Sequence, residues 1–115
     1  MIKFSIPIRT GRGLNERMHH MQRARTVKAE RQAVAWVATQ HAAPAGPVAV
    51  TICRVSPSSK GLDGDNLQGG LKAVRDQLAD WLGRDDADPS ITWRYAQRPG
   101  KKGEWAVEIS VEAAA

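Results

Sequence analysis

Residues 48–82 read VAVTICRVSPSSKGLDGDNLQGGLKAVRDQLADWL, and their hydrophobic period changes part-way through. The first eight, VAVTICRV, are compact and β-branched, which predicts a central strand. SPSSKG at 56–61 predicts a flexible turn. Beyond it Leu67, Leu71, Val74, Leu78 and Trp81 recur at helical spacing, so a helix is expected over 66–82. Asp65 is expected to cap its start, with Gln68 three residues later completing a capping box. Gly83 is the natural residue to end it.

The flanks extend the pattern. In IKFSIPI at 2–8, Ile2, Phe4, Ile6 and Ile8 alternate with Lys3, Ser5 and Pro7, the period of a strand with one buried face. Pro7 cannot donate to a ladder, so that strand belongs at an edge or ends there. Residues 9–25 read as an extended basic loop running into a helix over 26–42, whose start is expected several residues earlier. Val27, Val34, Val37, Ala38 and His41 form its apolar face. AAPAGP at 42–47 ends it. Residues 84–89 are an acidic loop. Ile91, Trp93 and Tyr95 alternate, as do Trp105, Val107, Ile109 and Val111, and RPGKKG at 98–103 is expected to join them as a β-hairpin. The order β-α-β-α-β-β predicts an α/β (α+β) fold, two main helices against a mixed sheet, in one domain over 1–115.

Composition narrows the function. Of 115 residues, 42% are hydrophobic and 25% charged, ordinary for a globular protein. No apolar run suits a membrane span, and the N-terminus lacks the features of a secretory signal. A lone Cys53 excludes a disulfide framework and a cysteine-based zinc site, and makes a reducing cytoplasm the default compartment. Charge is split unevenly. Residues 1–60 carry a formal +8 and residues 61–115 a formal −3. A basic half beside an acidic half suggests a polyanion-binding surface and a separate carboxylate site, although a basic face can also be merely solvated.

The carboxylates cluster in 62–88. Asp63 and Asp65 stand two apart, and in extended backbone both would face one site. Hard oxygen ligands in this pattern suit Mg²⁺ or Mn²⁺, which can hold a scissile phosphate and activate a water. Asp85 or Asp86 can add a ligand, Asn66 can orient a water or a phosphate oxygen, and Lys72 can stabilise charge on phosphate. The same residues also suit simple capping and a solvated loop. One unbroken helix over 66–82 would rise about 25 Å at about 1.5 Å per residue. Asp65 and Asp86 would then lie at opposite ends, joined either by a returning loop or across two subunits.

Residues 63–86, DGDNLQGGLKAVRDQLADWLGRDD, resemble the core motif of the RusA family of Holliday-junction resolvases, common in bacteriophages and prophages. The motif is roughly D-x-D-N-L, a helix with K-A-x-x-D-x-L, then D-D. Asp63, Asp65, Asn66 and Leu67 match its first part, Lys72, Ala73, Asp76 and Leu78 its second, and Asp85 with Asp86 its third. The resemblance implies Asp63, Asp65 and Asp86 as metal ligands, Lys72 as the catalytic helix lysine, and a bacterial or phage-infected cytoplasm. The chain departs from the family in two places. Gln68 to Leu71 lengthen the step from the second Asp to the lysine by about one helical turn, and the Pro-Pro after the first strand is missing.

Two functions follow as expectations. One is a Mg²⁺-dependent, structure-selective endodeoxyribonuclease, acting as a homodimer on branched DNA. The other is a non-catalytic DNA-binding accessory protein on the same fold. In both, Arg9, Arg12, Asn15, Arg17, Arg23, Arg25, Lys28, Asn66, Lys101 and Lys102 are the expected DNA contacts. His19 and His20 read as surface residues of the basic stretch, and Cys53 as a small buried one. Gly69-Gly70 and four tryptophans are compatible with a subunit interface, and a base-stacking role is open to one exposed tryptophan.

Overall fold

The computed structural model describes residues 1–10 and 20–114. Its elements are β1 (Ile2–Ile6), α1 (His20–Ala38), β2 (Val48–Ser56), α2 (Gly64–Gly70), α3 (Lys72–Leu82), β3 (Ile91–Pro99) and β4 (Ala106–Ala113). The four strands form one mixed sheet in the order β1-β4-β2-β3, so the expected α+β architecture is observed. β1 stops before Pro7 and takes an edge, as its proline requires.

β2 lies in the interior of the sheet. It pairs parallel with β3 and antiparallel with β4. Parallel neighbours need a crossover connection, and α2 with α3 supplies it. The hairpin expected between the last two strands is therefore corrected, because β2 lies between them. The connection crosses the end of β2, where Gly100 N donates to Ser56 O at 2.7 Å. A Cβ at Gly100 would stand 2.9 Å from Val55 Cγ1, so only glycine passes this close. Six residues reach about 20 Å extended, enough to step over one strand as well as to turn back beside it.

The helical segment of 66–82 is also corrected. It is two helices meeting at Leu71 (φ −105°, ψ 6°). Gly69 and Gly70 weaken the helix locally, and Leu71 is wholly buried, held by the core. Val34 of α1 and Leu71, Val74 and Leu78 pack with Ile6, Val50, Ile52 and Ile109 in one core. Val27, expected on the apolar face of α1, is instead exposed. His41 lies beyond the helix and stacks on Phe4 at 5.1 Å. Gly83 does end α3, in the left-handed region at φ 70°.

The other sheet face is polar. Arg98 of β3 reaches over β2 to Glu108 of β4, with Nε and Nη2 donating at 2.9 and 3.0 Å. Those hydrogen bonds hold the Glu108 carboxyl below its usual range. A carboxyl depressed on folding adds stability above its unfolded pKa and loses it as pH falls through the folded value. Glu108→Gln is expected to flatten the acid limb of stability below about pH 4.5, read from urea midpoints at stepped pH. An unchanged limb would show the pair to be energetically silent.

Candidate active-site cleft

The site begins at the start of α2. Asp63, not Asp65, is the N-cap. Its Oδ1 accepts from Asn66 N at 3.0 Å and its Oδ2 from Asn66 Nδ2 at 3.2 Å. Asp63 keeps extended backbone, whereas Asp65 sits in the first helical turn. The premise that both carboxylates share one extended face therefore fails, because residues two apart in a helix point about 200° from each other. Asn66, expected to contact DNA, is buried with its amide on Asp63. Asn caps as well as Asp, so Asp63→Asn is expected to leave the melting temperature nearly unchanged. Asp63→Ala is expected to cost about 1 kcal/mol, and equal stability of all three proteins by urea titration would refute the cap.

The loop before α2 is held by β3. Gln97 Oε1 accepts from Leu62 N at 2.9 Å and its Nε2 donates to Leu62 O at 2.7 Å. This pairing imitates a strand partner on the free edge of β3. Gly61 permits it, since a Cβ there would lie 2.7 Å from the Gln97 side chain.

Past this start lies a cleft of about 310 Å³, lined by Asp65 and Gly69 of α2, Lys72 and Arg75 of α3, Asp86 and Tyr95. The loop after α3 thus folds back, so Asp65 and Asp86 of a single chain line the same cleft. Arg75 holds that return. Its Nη2 donates to Asp86 O at 3.1 Å, its Nη1 to the Tyr95 hydroxyl at 3.0 Å, and its Nε lies 3.3 Å from Asp86 Oδ2. The guanidinium also stacks over Trp93 at 4.8 Å. Trp93 Nε1 donates to Asp86 O at 2.8 Å, so one carbonyl takes two donors. Lys72 Nζ stands 3.3 Å from Asp76 on an exposed side chain. Such a surface pair is worth little, so the ammonium can turn to a phosphate. Asp85 faces its own loop and accepts from Ala87 N. Of the two adjacent acids, only Asp86 lines the cleft.

Among the described residues, no three His, Cys, Asp or Glu side chains come together to hold an ion. Asp63 does not line the cleft, so Asp65 and Asp86 are the carboxylates it offers. A pair suits Mg²⁺, which keeps several waters and is commonly bound by one or two carboxylates plus substrate phosphates.

Arg75, Trp93, Tyr95 and Gln97 escaped sequence reasoning. The alternation of β3 already puts Trp93 and Tyr95 on one face, but only its parallel pairing with β2 brings that face under α3. Of the expected DNA contacts, Arg9, Arg23, Arg25, Lys28, Lys101 and Lys102 are exposed. Arg9 lies over Trp105 at 4.4 Å, in a different place from the α1 cations. Arg12, Asn15, Arg17 and His19 lie outside the described residues. Cys53 is half-buried, and burial first, then Glu108, pushes its thiol up, away from a reactive thiolate.

No family model and no curated protein matches this chain. Among the described residues, no helix is long and apolar enough to cross a membrane. The function therefore has to be read from the chemistry of the cleft.

Proposed function

We propose that the chain is a Mg²⁺-dependent endodeoxyribonuclease that cuts branched DNA, of the RusA type that residues 63–86 resemble. The observation that supports this reading is the convergence of Asp65, Lys72 and Asp86 on one cleft, from positions that an unbroken helix would hold apart. Asp65 and Asp86 would hold the ion. When bound, it neutralises charge on a scissile phosphate and activates the attacking water. Lys72 brings three donors to phosphate oxygens as charge develops there. Arg75 orients Asp86, through its hydrogen bond to the Asp86 carbonyl and the Nε beside the carboxylate. Asp63 and Asn66 fix the first turn of α2, and with it the direction of Asp65.

A homodimer belongs to the proposal, because a four-way junction is nearly two-fold symmetric and suits paired incisions. Dimerisation would pair two such clefts on one junction. Arg9, Arg23, Arg25, Lys28, Lys101 and Lys102 would meet phosphates, giving salt-sensitive binding.

The second reading, a non-catalytic DNA-binding accessory protein, draws support from the same site. Asp63 is committed to Asn66, and the Asp86 carboxylate already has the Arg75 guanidinium beside it. Incubating the protein with a labelled four-way junction in Mg²⁺, with a chelator control, separates the two. Chelator-sensitive incision on a denaturing gel supports the nuclease. A gel-shifted junction left uncut supports the accessory role, and neither result sinks both.

A further inference from the structure

The outer face of α1 has no part in the cleft, and its composition is unusual. The fold leaves four large hydrophobic residues exposed among the described residues, and two, Met21 at 54% and Trp36 at 76%, lie within about 60° of each other on this face of α1. Tryptophan is a highly buried residue on average, and the other three in this chain are half-buried. Trp36 shares a stripe with Gln32, Ala29 and Arg25 at steps of four, seven and eleven residues, which keeps all four within about 40° of one line along the helix. All four are exposed, whereas Glu30, Val34 and Ala38 are buried on the far side.

The charge on this face has one sign. Arg25 and Lys28 make no ion pair among the described residues, and Glu30, the helix's one acid, is buried. On one flank of the stripe lies an open, mainly apolar groove lined by Lys28, Gln32 and Ala35 of α1 and by Gln77 of α3, with Val27 at its far side, opposite Trp36. A second copy meeting this face through its own α1 would bring cation against cation. A single nucleic-acid strand presents what the face lacks, alternating phosphates and flat apolar bases. A duplex presents only the phosphates, because its bases are stacked inside.

We infer that this face of α1 binds single-stranded DNA, with Trp36 stacking on an unpaired base while Arg25 and Lys28 contact phosphates further along the same strand. The inference rests on the DNA-binding half of the function proposed above and adds that strands unpaired at a branch are held away from the cleft. One stacked base removed by alanine substitution costs roughly 5- to 150-fold in affinity.

The test is an anisotropy titration of the full chain with labelled oligo-dT of about 12 nucleotides and with a blunt duplex of equal length, alongside junction incision. Trp36→Ala is expected to weaken oligo-dT binding by roughly 5- to 150-fold and leave duplex binding nearly unchanged. Trp36→Phe is expected to restore most of the loss. Trp36 is exposed, so both variants should melt with the wild type. Equal oligo-dT affinity of Trp36→Ala and wild type overturns the inference, and junction incision persisting beside it leaves the nuclease standing. Wild type that cuts nothing yet binds oligo-dT through Trp36 retires the nuclease and keeps this surface. Wild type that binds neither oligo-dT nor the junction overturns both.

Discussion

Asp65→Asn is expected to bind a four-way junction as the wild type does and to cut it roughly 100- to 1,000-fold more slowly, the size of loss that follows removal of one preorganised group from a catalytic site. The substitution keeps the shape of the side chain and removes its charge. Asp65 is exposed in the first turn of α2, where a carboxylate gains only about 0.3–1 kcal/mol from the helix dipole, so the fold should survive. Asp86→Asn is expected to match it in incision. The backbone carbonyl of residue 86 still takes the Arg75 and Trp93 hydrogen bonds, so the returning loop should stay in place. Single-turnover incision in Mg²⁺ or Mn²⁺ and gel-shift affinity for the same junction provide the two readouts. Asp65→Asn cutting at the wild-type rate would remove the cleft from the mechanism. Asp63→Asn helps sort the carboxylates: full activity would limit Asp63 to capping.

Leu71→Ala is expected to destabilise the protein by about 2–5 kcal/mol, the range for emptying a buried leucine site. That is a large share of the roughly 5–15 kcal/mol that holds a domain folded. Leu71 is fully buried in the core at the point where α2 gives way to α3. Its loss should also loosen Asp65 relative to Lys72, one on each helix. Urea titration checks the first effect, and incision measured well below the unfolding midpoint checks the second. A cost under about 1 kcal/mol would mean that the surrounding core closes over the gap. Wild-type incision by a destabilised Leu71→Ala would show that the angle between the helices does not set the site.

Hydrophobic period alone determined the element types. The apolar β-branched run at 48–55 calls for an interior strand, and β2 takes that place with Val48, Val50 and Ile52 in the core. Pro7 ends β1, and Gly83 ends α3. These are local effects, written within a few residues of where they act. Asp65, Lys72 and Asp86, which line the cleft, were legible as candidates, because few other residue types suit a hydrated cation and a phosphate.

Tertiary structure decided the rest. Whether β4 lies beside β3 or beyond β2 depends on which strand buries more surface at the centre, and a six-residue connection permits either. Whether Gln68 to Leu71 continue a helix or break it turns on the burial of Leu71, which propensity cannot report. The position of Asp86 depends on Arg75, eleven residues earlier in the chain, and on Trp93 and Tyr95 from a strand whose parallel pairing no local pattern reveals. Local preferences are worth tenths of a kcal/mol per residue and choose helix or strand. Burying a large side chain is worth about 1.5–3 kcal/mol. Burial therefore outweighed local preference in choosing which elements meet, and so brought Asp65 and Asp86 into one cleft.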